Sequence, residues 1–184
     1  IGASANYCDH SRWTVTASSS GSSDPALNAI DDYDVSRWSS GRSQDGTDWF
    51  KIDFGGLVTM SNLTLTNGNY DPSDYPGKVA VYGSSDGTTF GSAVATVSGS
   101  KDQTILTFPP MTVRAIMLKQ VGTSNSGHYW SIHEFDSDCA VAANQGSPVA
   151  CGNQEKWVES ASHNNGDASK ANDQDLGSRW STGG

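Results

Sequence analysis

Residues Trp49-Phe50-Lys51-Ile52-Asp53-Phe54 alternate apolar and polar side chains with a period of two. Phe50, Ile52 and Phe54 fall on one face of an extended chain, and Trp49, Lys51 and Asp53 on the other, which is the signature of a half-buried β-strand. The same reading extends outward on both sides. Leu63 and Leu65 alternate with threonines, Val79 and Val81 with Ala80 and Tyr82, and Ile116 and Leu118 with Arg114 and Gln120. Turn pairs bound each run: Asp45-Gly46, Gly55-Gly56, Asn67-Gly68, Pro76-Gly77 and Asp86-Gly87. Short alternating strands punctuated by turns predict an antiparallel sandwich or barrel. No sustained 3.6-residue period appears, so helices are expected only as single turns in loops.

The chain also begins this pattern twice. Trp13-Thr-Val-Thr-Ala17-Ser18 returns as Trp157-Val-Glu-Ser-Ala161-Ser162, and Ser36-Arg37-Trp38-Ser39-Ser40-Gly41 as Ser178-Arg179-Trp180-Ser181-Thr182-Gly183. A repeat of this length is domain-sized, and indicates a tandem of domains rather than a solenoid. The expected organisation is one domain over residues 1–140, a linker over 141–150, and the opening part of a second copy over 151–184. Such a fragment is too short to fold alone, so the natural chain is expected to continue past Gly184.

The three cysteines follow the duplication. Cys8 precedes the first strand of copy one, Cys139 closes it, and Cys151 opens copy two. The economical reading joins Cys8 to Cys139 and leaves Cys151 as half of an equivalent bridge; the alternative is three unrelated thiols. An end-to-end bridge implies an oxidising compartment and a secreted, extracellular protein. The net charge of −9 argues against nucleic acid, and against an anionic membrane, as partner. No apolar run approaches membrane-spanning length. Asn62-Leu63-Thr64 is a glycosylation sequon.

With the repeat, the terminal cysteines and the strands in place, the first domain resembles the discoidin domain family. This is the fold of coagulation-factor C-type domains and of carbohydrate-binding module family 32. The resemblance rests on Ala17-Ser18-Ser19, Asn28-Ala29-Ile30-Asp31, Ser36-Arg37-Trp38-Ser39-Ser40, the Trp49–Phe54 strand, Val79–Phe90 and Tyr129-Trp130-Ser131-Ile132-His133-Glu134-Phe135, in family order. It implies an all-β, eight-stranded, jelly-roll-like β-sandwich with ligand loops at one end.

The segment Asn28–Ser36 holds Asp31, Asp32 and Asp34 within four residues. Calcium takes six to eight oxygens, many of them backbone carbonyls of one curled loop. Carried over from similar modules, a structural Ca²⁺ would be held by the carbonyls of Asn28 and Tyr33, the Asp31 carboxylate, Ser36 and Glu134. The alternative is that the acids solvate a surface loop.

Sugar recognition needs aromatic faces for C–H surfaces and charged or amide groups for hydroxyls. By position in related modules, the candidates are Arg37, Arg42, Tyr70, Asp71, His128 and Tyr129. Arg37 can equally be a structural ion-pair partner. Trp38, Trp49 and Trp130 lie inside recurrent fold motifs and are expected to pack, as is Tyr75. No catalytic motif is present: no HExxH, no nucleophile elbow and no phosphate-cradling loop. A glycosidase needs two carboxylates across a cleft, and no cleft is indicated, so no enzymatic activity is expected. The leading expectation is a secreted carbohydrate-binding module for a glycan or polysaccharide. The alternatives are an adhesion or protein-binding discoidin domain and a structural repeat of an extracellular assembly.

Overall fold

The computed structural model of the chain describes residues 6–68, 73–123, 125 and 127–142. Of the expected linker, residues 141–142 are described and belong to the domain, since Val141 pairs with Val58 and Ala142 is buried. The rest of it, the expected second copy with Cys151, and the candidates Tyr70 and Asp71 lie outside the described residues.

The antiparallel β-sandwich expected from the alternation is the fold found. Its strands are β1 (Thr14–Ala17), β2 (Trp38–Ser39), β3 (Trp49–Thr66), β4 (Lys78–Ser84), β5 (Ala95–Ser98), β6 (Gln103–Gln120), β7 (Ser131–Ile132), β8 (Glu134–Ser137) and β9 (Ala140–Val141). The main sheet runs β1-β3-β6-β4-β5, with β8 and β9 also pairing β3, and β2 pairs β7 in a small second sheet. Helical structure among the described residues is limited to single 3-10 turns at His10–Arg12 and Ala26–Ala29.

The two long strands organise the sandwich. The first half of β3 pairs with β1 (Val15 opposite Ile52), and its second half with β8 (Leu65 opposite Phe135). Its register against β6 shifts twice, between Asp53 and Val58 and between Met60 and Asn62. The inward phase survives the first irregularity, with Val58 and Met60 still buried at even positions, and turns at the second. Phe50, Ile52 and Phe54 therefore face the core at even positions, and Leu63 and Leu65 face it at odd ones. Gly56 sits in the first irregularity, where a Cβ would come within 2.5 Å of the Tyr7 ring.

On β6 the alternation reads differently from the sequence expectation. The inward phase slips at Ala115–Ile116, so Ile116, Leu118 and Gln120 share one face, while Arg114 is exposed. Gln120 is thus a buried residue of the core side and not the polar partner of Leu118. Even-numbered positions share a face in any regular strand, so this much follows from the period itself.

Aromatic contacts join the layers. Trp38 meets Trp130 edge-on at 5.2 Å and lies 5.0 Å from Phe50, while Trp13 meets Phe54 edge-on at 5.0 Å and Phe135 at 5.8 Å. Trp38 and Trp130 are fully buried, as their place in recurrent motifs suggests. Cys8 and Cys139 form a disulfide, with their Cα atoms 5.7 Å apart at a sequence separation of 131.

Candidate functional site

Three loops converge at one end of the sandwich: residues 40–48, 73–77 and 121–131. Gln44, 2% exposed, is their hub. Its Nε2 donates to the carbonyls of Tyr75 and Tyr129, each at 2.8 Å. Its Oε1 accepts from the Gly77 amide at 3.0 Å and from Gln120 Nε2. Its backbone amide donates to the His128 carbonyl at 2.9 Å. Asn125 adds a second tie, with Nδ2 donating to the carbonyls of Ser73 and Tyr75. Tyr75 therefore serves as scaffold, through its carbonyl. Such side-chain-to-backbone bonds fix loops that carry no regular ladder of their own.

His128 and Tyr129 stand exposed on this cluster, Tyr129 at 42%. The Tyr129 amide donates to Asp74 Oδ1 at 3.2 Å, so backbone and neighbours are fixed while the ring faces outward. A phenol presented on a rigid mount loses little freedom when a ligand stacks on it.

The two arginines play different parts from simple ligand contacts. Arg42 grips the buried carboxylate of Asp48, with Nη2 2.6 Å and Nε 3.0 Å from Oδ1, and also reaches Thr47 Oγ1 at 3.0 Å. The hydrogen bond and the charge of Asp48 hold its proton still more tightly than usual. Its side chain remains 43% exposed, so it anchors the loop and still shows an edge beside it. Arg37 is 20% exposed and lies between Asp24 (3.8 Å) and Asp74 (3.6 Å), the ion-pair role that the sequence left open for it. The structure thus brings Arg42, His128 and Tyr129 to one loop cluster, and ties Arg37 to it through Asp74.

The acidic loop forms a second cluster. Ser36 Oγ donates to the Asp31 carboxylate at 2.7 Å, and lies 2.9 Å from the Tyr33 carbonyl. The Tyr33 amide donates to Glu134 Oε1 at 2.7 Å across 101 residues of sequence. Asp32 adopts a left-handed backbone (φ 58°) that curls the loop. Burial, together with the charges of Asp31 and Asp32, pushes the Glu134 carboxyl up to about 7, against the pull of the Tyr33 amide. Among the described residues no group of three or more His, Cys, Asp or Glu side chains gathers around one point. The loop offers two carboxylates, a hydroxyl and a carbonyl instead. That donor set suits a hard cation, which would offset the burial and the neighbouring acids that disfavour the Glu134 carboxylate. Asn28 sits in the adjacent 3-10 turn and lines a separate cleft with Asp24, Arg37 and His133.

A cleft of about 600 Å³ lies beside Cys8, His10, Trp13, Leu27, Asp31 and Asp32, and none of the candidate sugar residues lines it.

Residues 14–135 match the F5/8 type C domain model. The chain belongs to the F5/8 type C domain family. Solved structures similar to this F5/8 type C domain are family 32 carbohydrate-binding modules. The module of C. perfringens NanJ, in complex with galactose, is 20% identical, with a TM-score of 0.60 over 71% of this chain and 96% of that one. A module from Clostridium perfringens in complex with GalNAc-β-1,3-galactose is 17% identical, with a TM-score of 0.62 over 71% and 97%. Chitosan-binding module 2 of a Paenibacillus sp. IK-5 chitosanase/glucanase, in complex with chitotriose, is 19% identical, with a TM-score of 0.59 over 72% and 98%. No curated protein sequence matches the chain. No helix among the described residues is long and apolar enough to cross a membrane.

Gln44, Asp48, Asp74, Asn125 and His133 were not found by sequence reasoning. In sequence they are ordinary polar loop residues, and their partners lie tens of residues away. The one local signal is Asp48, directly before the Trp49–Phe54 strand, where an acid can brace a strand entry.

Proposed function

We propose that this domain is a secreted carbohydrate-binding module that holds its parent protein to a glycan through the Arg42–His128–Tyr129 surface. The observation that carries this reading is the exposed Tyr129 ring on a loop cluster pinned by buried Gln44. Tyr70 and Asp71 complete the proposed surface from the preceding loop. Arg37 is a positioning residue that holds Asp74 under the Tyr129 amide. The similarity to modules solved with galactose, GalNAc-β-1,3-galactose and chitotriose supports a saccharide ligand.

Calcium in this proposal is structural. Asp31, Ser36, Glu134 and the carbonyls of Tyr33 and Asn28 would hold it, and it would tie the acidic loop to β8 by replacing charge repulsion with shared attraction. The Cys8–Cys139 bridge supports an extracellular, oxidising setting. Residues 143–150 are proposed as a linker and 151–184 as the opening of a second, incomplete copy, on the strength of the repeated Trp-anchored blocks.

A glycan array read with calcium and then with chelator tests the reading. Saturable binding to defined glycans, lost in Tyr129→Ala, is the expected result; no binding to any glycan overturns it. One observation favours the adhesion alternative: Leu27, Tyr33 and Val35 are 60%, 61% and 52% exposed on one loop. That alternative expects capture of a protein partner that Tyr33→Ala weakens and Tyr129→Ala does not.

A further inference from the structure

The open cleft lined by Ser23, Asp24, Asn28, Val35, Ser36, Arg37 and His133 spans about 440 Å³, a size in the range of small-molecule sites, and shares Asn28 and Ser36 with the acidic loop. It is separate from the Tyr129 surface. His133 gives it chemical direction. The side chain is 1% exposed, and its Nδ1 lies 3.0 Å from the Asp34 carbonyl. A carbonyl only accepts, so Nδ1 carries the proton and donates, which makes Nε2 of the neutral ring an acceptor. Nε2 has no partner. Gly68 packs against the ring, where a Cβ would come within 2.5 Å of its atoms. A buried acceptor left unpaired in this way costs about 1–3 kcal/mol, which an arriving donor returns.

The rest of the wall selects the class of donor. Arg37 lies between Asp24 and Asp74, so its charge is already balanced and the cleft calls for no ion. The Asn28 amide and the Ser23 hydroxyl each both donate and accept. Val35, half exposed, supplies an apolar edge. Mixed donors and acceptors without net charge, next to one apolar surface, match a ligand rich in hydroxyls with a C–H face.

We propose that this cleft is a second saccharide site, taking one neutral hexopyranose unit whose hydroxyl donates to His133 Nε2 and whose C–H face lies on Val35. The proposal rests on the reading of the domain as a glycan-binding module. Arg37 links it to the first surface, because Asp74 accepts from the amides that position Tyr129. Two saccharide contacts on one rigid domain raise the retention of an extended or branched glycan without raising either affinity.

The test is an NMR titration of the whole ¹⁵N-labelled chain, with calcium present, using methyl β-D-galactopyranoside and methyl β-D-glucopyranoside as separate probes. The readout is the His133 imidazole nitrogen resonance. The expected result is a saturable movement of Nε2 with at least one probe, kept in Tyr129→Ala and abolished in Val35→Trp and in Ser23→Trp, which fill the rim from two sides. An Nε2 resonance that neither probe moves overturns the second site. So does a movement abolished by Tyr129→Ala but kept in both tryptophan variants. A movement that survives Tyr129→Ala, combined with glycan binding that Tyr129→Ala leaves untouched, upholds this cleft and sinks the Tyr129 surface instead.

Discussion

The loop cluster around Gln44 and the acidic loop around Asp31 are both built from irregular chain, yet they are held together by opposite means. The hub of the Gln44 cluster is neutral and buried, and every polar atom of its amide has a partner within the protein. The acidic loop is exposed and carries several carboxylates, two of which raise the proton affinity of Glu134. The first region spends buried hydrogen bonds to present an aromatic surface. The second gathers oxygens that repel one another until something positive arrives. Rigidity is thus internal at the first site, and under the calcium proposal it is conditional at the second.

Four experiments break or sharpen that contrast, in order of expected size. The largest effect should come from Cys8→Ser with Cys139→Ser, because a 131-residue separation is closed by this bridge. Its loss is expected to cost about 4–5 kcal/mol in the chain-entropy treatment, read by urea denaturation under non-reducing conditions. A loss below about 1 kcal/mol would mean that the sandwich closes its ends without the bridge.

Gln44→Ala should follow, at about 3 kcal/mol, since it strands several buried donors and acceptors at once. This loss should be the same in calcium and in chelator. A calcium-dependent difference would show the two regions to be one cooperative unit.

Calcium itself should come next. At a hundredfold excess over its dissociation constant, it is expected to add about 2.7 kcal/mol and to raise the melting temperature accordingly. Asp31→Ala should erase that shift and leave the chelated protein's stability almost unchanged. Identical melting curves with calcium and chelator in the unaltered protein would remove the metal from the account.

The smallest stability effect belongs to Tyr129→Ala, within about 0.5 kcal/mol, as for other exposed side chains. Glycan binding should nevertheless fall several-fold by calorimetry. Arg42→Ala is the contrasting control, because it abandons the Asp48 carboxylate in a buried position and should lower stability by about 1–3 kcal/mol as well as binding. Equal behaviour of the two variants would contradict the division between presenter and anchor.

Much of this was legible in the chain itself, and the reason is locality. Phe50, Ile52 and Phe54 declare their face within six residues, and Cys8 and Cys139 declare their partnership through the duplicated frame. Trp38 and Trp130 were readable as packing residues because they sit in recurrent blocks. The loop clusters were harder. Gln44 meets Tyr129 across 85 residues, and Arg42 reveals its role only beside Asp48 in a turn whose shape the sequence does not encode locally. Gln120 shares the parity of Ile116 and Leu118 and so was legible as inward-facing, whereas the outward place of Arg114 depends on the phase slip at Ala115. His133 carried no signal at all: a histidine inside an apolar strand pattern reads as filler until its two nitrogens are seen in different surroundings.

The bridge between Cys8 and Cys139 has a mechanical meaning. A pull applied to the chain on either side of the domain enters at one cysteine and leaves at the other, with their Cα atoms 5.7 Å apart. The load then passes through a single covalent link and not through β3, β6 or the loops they carry. A module lying within a chain pulled from both ends would keep its binding face undistorted, with the sandwich hanging beside the line of tension like a tag on a cord.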